Sequence, residues 1–274
     1  MKKVLLAFDG SHYSEGAFEF ARQMNEKSPI LLIGVFLPQV NYANLWSHST
    51  GTEGPLLLPL TEEADAKVIQ KNIARFERNC HSNNIEYRVH KDFFDFALPE
   101  LKKETRYADL IVLGGETFYK NLGEYEPNEY LKDALHAAEC PVLVVPEQFD
   151  FPESNILSYD GSESSVYAIK QFSYLFPMLR NKKTLLVYVS DSDEKTLPDE
   201  PHIKEWAARH FPDLTLMKLD IDPKKYFATW VSEKKSAILV SGAFGRGAFS
   251  QLFKKSFVSD VIHDHKLPVF ITHR

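Results

Sequence analysis

Short apolar runs punctuate the chain, and between them apolar residues return every three or four positions. The runs fall at Val4–Phe8, Ile30–Phe36, Asp109–Gly115, Cys140–Val145, Asn155–Tyr159, Thr184–Val189, Ala237–Gly242 and Leu267–Thr272. Most are apolar on both sides instead of alternating, which is how strands of a parallel sheet covered by helices read. The intervening spacing predicts helices over Ser14–Met24, Val68–Cys80, Ser164–Leu175 and Ile203–Phe211. Strands and helices in alternation predict an α/β fold with helices on both faces of the sheet.

The pattern occurs twice. Val4-Leu5-Leu6-Ala7-Phe8-Asp9-Gly10-Ser11 is matched by Asn155-Ile156-Leu157-Ser158-Tyr159-Asp160-Gly161-Ser162, and each leads into a helical stretch. The remaining strands follow in the same order, and both halves close on a Pro-Val strand, Pro141-Val142 and Pro268-Val269. Such a repeat decides the architecture. It predicts two units, residues 1–148 and 152–274, joined near Pro146 to Glu153 where the apolar pattern breaks. The first half also carries an insert rich in polar residues, Gly and Pro, from Pro38 to Pro59; its Trp46 and Leu56–Leu58 predict packing on the partner half or over a cleft.

Composition narrows the function. Of the 274 residues 44% are hydrophobic and 26% charged, the balance of a globular chain with real cores. A net charge of -6 leaves no basic surplus for a nucleic-acid backbone. Met1-Lys2-Lys3 opens an apolar run that stops at Asp9, too short for a signal peptide. No stretch approaches the roughly 18 apolar residues of a membrane span. Cys80 and Cys140 make no disulfide framework, which predicts a cytoplasmic protein.

An Asp at the carboxyl end of the first strand, a Gly-containing loop after the fourth and a closing Pro-Val strand together resemble the universal stress protein family. The twofold occurrence resembles its tandem members, and the likeness covers nearly the whole chain. It implies two Rossmann-like domains of the adenine nucleotide alpha hydrolase type, each a five-stranded, mostly parallel sheet flanked by helices. It also implies a pseudo-dimer of the halves through Val142–Val145 and Val269–Thr272, with a homodimer of whole chains as a further option. Family members that hold ATP carry Gly-x2-Gly-x9-Gly-[Ser/Thr] after the fourth strand, where backbone amides at a helix start point at phosphate.

The second half keeps Gly242-Ala243-Phe244-Gly245 and, after nine residues, Lys255-Ser256-Phe257. Lys255 replaces the third glycine; its Cβ crowds the phosphate path, or its ammonium binds the phosphate. The resemblance thus implies an adenine nucleotide, ATP with Mg, in the second half only. Asp160 would lie near ribose or metal, the Val189 backbone near adenine, and Gly242, Phe244, Gly245, Lys255, Ser256 and Phe257 around the rest. In the first half the matching positions read Gly115, Phe118 and Asn128-Glu129, with Glu124 and Glu126 between them. Carboxylates facing a triphosphate repel it, so that half is expected to be silent.

Each residue also has an architectural reading. Asp9 and Asp160 suit helix caps, and Gly242, Gly245 and Gly247 suit a tight turn. His263-Asp264-His265, and His202 with His210, lack the spacing of a metal site, and Cys140 before Pro141 reads as a core residue. No catalytic residue is expected: Gly-x-Ser-x-Gly, Gly-x4-Gly-Lys-[Ser/Thr] and His-Glu-x2-His are all missing from the sequence. Two other functions stay open. One is a nucleotide-free module acting through a protein partner; the other is an enzyme on this fold, resting on fold analogy alone.

Overall fold

The structure is a computed structural model and describes residues 1–8, 12–36, 63–90, 97–115, 137–190, 197–221, 223–242 and 267–272. In chain order these form β1 (Lys2–Phe8), α1 (Glu15–Lys27), β2 (Ile30–Phe36), α2 (Glu63–Ser82), β3 (Glu86–His90), α3 (Ala97–Arg106), β4 (Leu110–Gly114) and β5 (Val142–Val145). There follow β6 (Ser154–Tyr159), α4 (Glu163–Leu175), a 3-10 turn (Pro177–Leu179), β7 (Lys183–Ser190), α5 (Glu200–His210), β8 (Leu214–Asp220), α6 (Pro223–Ser232), β9 (Ala237–Gly242) and β10 (Val269–Thr272). The fold is α/β, with a mostly parallel sheet between helices. The insert 38–59, with Trp46 and Leu56–Leu58, lies outside the described residues.

All ten strands join one sheet in the order β3-β2-β1-β4-β5-β10-β9-β6-β7-β8. The order on one side of the β5/β10 pair is mirrored on the other. Every pairing is parallel apart from β5 with β10, which run antiparallel with Phe270 opposite Leu143 and Val269 opposite Val144. This seam places the carboxyl ends of the first five strands and of the last five at opposite ends of the sheet.

Alternate residues of one strand feed two cores, because successive side chains leave a strand on opposite faces. Val4, Leu6 and Phe8 join the core under α1, α2, α4 and α5, while Leu5 and Ala7 join the one under α3 and α6. Helix α1 buries Ala17, Phe20, Ala21 and Met24, the three-and-four spacing of one helix face. Its start is set by Ser14, whose side chain accepts from the Ala17 amide at 3.2 Å. Helix α2 follows the same rule through Ile69, Ile73, Phe76 and Cys80, and continues beyond the expected 68–80 at both ends.

The connector between β5 and β6 is packed down, not loose. Glu147 Oε2 accepts from the amides of Glu15 (2.9 Å) and Gly16 (3.1 Å), and Ser236 Oγ lies 3.3 Å from Asp150 Oδ2. Phe149 and Phe151 set their rings 5.7 and 5.2 Å from that of Phe20. Phe20 also meets Phe176 edge-on, and Phe176 meets Phe270, so aromatic contacts run from α1 across the seam to β10. Rings in such edge-to-face pairs add about 0.5–1.5 kcal/mol beyond the area they bury.

Candidate functional site

In a sheet of this kind ligands sit beyond the carboxyl ends of the strands, where neighbouring connections diverge. In the second half β6 lies between β9 and β7. Asp160 directly follows β6, Gly242 ends β9, and Val189 is the next-to-last residue of β7. The register sets Leu157 opposite Val240 and Tyr159 opposite Tyr188. Three of the expected residues, Asp160, Val189 and Gly242, therefore share one end of three adjacent strands. Phe244, Gly245, Lys255, Ser256 and Phe257 lie outside the described residues, as does Arg246.

The turn after β6 is built locally. Asp160 Oδ1 accepts from the Ser162 amide at 2.9 Å, and Gly161 between them takes φ +80°, a conformation in which glycine has no steric cost. Ser162 caps α4, its side chain accepting from the Ser165 amide at 3.2 Å, and Ser165 Oγ donates to the Ser162 carbonyl at 2.9 Å. Ser162 is thus the helix cap, and Asp160, expected as the cap, instead holds the turn that precedes it. The Asp160 side chain nonetheless stays exposed. Gly242 too has an architectural role, because a Cβ there would lie 2.6 Å from the Ser165 amide and closer still to the Ser164 carbonyl. The end of β9 and the first turn of α4 touch backbone to backbone.

Sequence reasoning missed the segment that closes over this turn. Tyr159, buried at the end of β6, donates its hydroxyl to the Pro198 carbonyl at 2.7 Å. Burial, then the charges of Asp199 and Asp160, hold its acidity below the usual tyrosine range, with the pKa raised. No periodicity marks a contact between residues this far apart in sequence.

In the first half Asp9, Gly10, Ser11, Phe118, Glu124, Glu126, Asn128 and Glu129 lie outside the described residues. What is described is the amino end of α1, where the Glu147 carboxylate takes two amides. Beside it a groove of roughly 720 Å³ opens between α1, the connector and the starts of β9 and β10, with Glu15, Glu19, Glu147, Asp150, Lys235 and Pro268 among its walls. Glu15 pairs with Arg75 and Glu19 with Arg22.

Other candidate groups are spread apart. Among the described residues no three His, Cys, Asp or Glu side chains gather as a metal site would need. His210 stacks on Trp206 with ring centroids 4.1 Å apart, and its pKa is lowered by burial and by Arg180 and Lys170; His263 and His265 lie outside the described residues. Cys140 and Cys80 are buried core residues, and burial pushes both thiols up to about 12. Among the described residues no helix is long and apolar enough to cross a membrane.

No family model matches the sequence. Nor does the sequence of any curated protein. Solved structures do share the fold. The crystal structure of a universal stress protein from Archaeoglobus fulgidus DSM 4304 superposes with a TM-score of 0.68 at 15% identity. The match covers 100% of this chain and 96% of that one. The chain has a universal stress protein-like fold along its whole length. Likeness at this identity speaks to fold and not to ligand or activity.

Proposed function

We propose that the chain is a tandem universal stress protein, with units at 1–148 and 152–274, acting as a regulatory protein of the cytoplasmic stress response and not as an enzyme. One observation carries the reading: the strand order is mirrored about β5/β10, and Asp160, Val189 and Gly242 meet at the carboxyl ends of three neighbouring strands in the second half. That crevice is where an adenine nucleotide would bind. The exposed Asp160 carboxylate suits a ribose hydroxyl or the Mg that accompanies ATP, and its Oδ1 contact with Ser162 keeps the group oriented. Val189 would offer its backbone to adenine, Gly242, Gly245 and Ser256 would hold the phosphates, and Phe244, Lys255 and Phe257 would line the rest of the site. What supports the sugar side is an exposed carboxylate at the strand end, already held by the Ser162 amide.

A nucleotide-free module acting through a protein partner is the second reading. It is favoured by the structural roles that Asp160 and Gly242 already fill. Isothermal titration of the chain with ATP and Mg separates the two. One site per chain, lost in Asp160→Ala, supports a nucleotide-binding second half with a silent first half. Two sites would refute the silent first half, and no heat at millimolar ATP would leave the interaction module as the function.

A further inference from the structure

Helices α4 and α5 meet at the end of the second half away from Asp160. Helix α4 starts beside Asp160 and runs back toward the start of β7, and α5 ends just ahead of β8. Phe172 of α4 and Phe211 after α5 stack beneath them. On the outside, Lys170 and Tyr174 stand four apart on α4, and Trp206 and His210 four apart on α5, the spacing that sets side chains on one helix face. The Tyr174 ring meets His210 edge-on with centroids 6.0 Å apart, and His210 stacks on Trp206 at 4.1 Å. Arg180 reaches the same corner from beyond the 3-10 turn, its Nε donating to the Ser173 carbonyl at 2.6 Å. Tyr174 is 48% exposed, and the other four side chains are half-buried.

This corner carries positive charge without a counter-charge. Among the described residues neither Lys170 nor Arg180 pairs with a carboxylate. The charges that bear on His210 are those same two cations, and with burial they hold its pKa below the ordinary value. A helix C-terminus favours cations, which accounts for the Arg180 Nε bond and for His210 in the last turn of α5. It does not account for Lys170, which lies short of the last turn of α4. Nor does it account for the Arg180 Nη groups, which take no acceptor among the described residues. Like charges drawn together and half out of water repel, and an anion removes that repulsion. We infer that Lys170, Arg180 and His210 form a binding site for a phosphate group, with the Tyr174 and Trp206 rings as its apolar wall. A guanidinium fork suits two oxygens of a tetrahedral anion, and an ammonium suits a third. His210 takes up a proton as the anion binds, because a neighbouring negative charge favours its charged form. Where the phosphate is borne on an aromatic group, the exposed Tyr174 ring adds a stacking contact.

The test follows the His210 ring protons by NMR in the full chain, with the His210→Gln chain assigning the signal. Inorganic phosphate, phenyl phosphate and sulfate are titrated in turn, each against sodium chloride at equal ionic strength. Sulfate keeps its charge across the histidine range, so a proton taken up in its presence is the protein's. The expected result is a saturable shift with all three oxyanions and a raised His210 pKa, with neither in chloride. Lys170→Gln, which breaks no bond within the fold, should weaken binding by about fivefold, the upper worth of a half-exposed ion pair. Arg180→Lys keeps the charge and drops the fork, so it should weaken binding less than Arg180→Ala does. Phenyl phosphate binding more tightly than inorganic phosphate would mark the ligand as a phosphate borne on a ring; equal or weaker binding would mark it as free phosphate. An equal response to chloride would reduce the effect to screening and overturn the site. Unchanged affinity in both Lys170→Gln and Arg180→Ala would overturn it too. Asp160→Ala should bind phosphate as wild type does, since the crevice lies at the other end of the strands; loss of the His210 response there would move the anion to the crevice and overturn the corner site.

Discussion

Glu147 binds the first turn of α1 from 132 residues away, its Oε2 accepting from the amide of Glu15 at 2.9 Å. The same oxygen takes the Gly16 amide at 3.1 Å. Helix starts leave amides without intrahelical partners and carry partial positive charge, so a carboxylate there is doubly favoured. Since Glu147 lies two residues past the end of β5, the contact fixes the connector onto the first five strands just before it crosses to the second five.

Glu147→Ala is therefore expected to lower stability by about 1–2 kcal/mol, the size of a lost helix cap with a charge-assisted bond. Glu147→Gln keeps an acceptor and drops the charge, so it should fall between wild type and Ala. Urea midpoints at low and high salt check both points: the Gln deficit should shrink as salt screens the helix end.

Phe20 tests whether the aromatic chain across the seam matters to the whole molecule. Its ring is fully buried and meets Phe149, Phe151 and Phe176. Truncation to Ala leaves a cavity and should cost about 3–5 kcal/mol. Because the ring ties α1 to the connector and to Phe176 after α4, fluorescence and circular dichroism transitions should separate in Phe20→Ala if they coincide in wild type. Coincident transitions in the variant would mean that the seam strands alone keep the halves cooperative.

The contact of Gly242 with α4 sets a third expectation. A methyl group there meets Ser165 N at 2.6 Å, and what it meets is helix backbone, which cannot rotate away as a side chain can. Gly242→Ala should cost about 1–3 kcal/mol, the range of forced overpacking. A thermal melt of the ligand-free chain reads this directly. No loss of stability would show that β9 and α4 can part, and would return Gly242 to a purely ligand-facing role.

The two-faced strands were the most legible part of the fold. Val4–Phe8, Ile30–Phe36 and Ala237–Gly242 are buried toward both cores, so their side chains carry no polar alternation to confuse them with loops. The edge strands β3 and β8 were not identified, because Glu86-Tyr87-Arg88-Val89-His90 and Leu214–Asp220 are only partly covered and mix polar with apolar residues. Helices α3 and α6 were missed for a related reason: among the described residues their apolar contacts with the core come from Leu101 in one and Phe227 and Val231 in the other, too sparse to show as a run. At the candidate site the Asp160 turn was visible as Asp-Gly-Ser, a signal local in sequence. The Glu147 cap and the Tyr159–Pro198 bond were not, since tertiary proximity alone joins their partners.

The buried thiols give the fold a defined alkaline limit. Burial raises both Cys80 and Cys140 from the ordinary 9.0 to about 12. In the unfolded chain they ionise near the ordinary value, so between about pH 9 and 12 the unfolded state binds fewer protons than the folded one. Stability tied to these groups is fully present below the unfolded pKa and lost as pH rises toward the folded one. Urea midpoints should hold steady up to about pH 8.5 and fall above it. A Cys80→Ala, Cys140→Ala chain should start from a lower midpoint, for the cavities it opens, yet lose less on going from pH 8.5 to 10.5. Equal slopes in the two chains would assign the alkaline loss to other groups. A small disulfide reagent gives the independent readout: at pH 8 the native thiols should react only at the rate of local opening, and at once in urea.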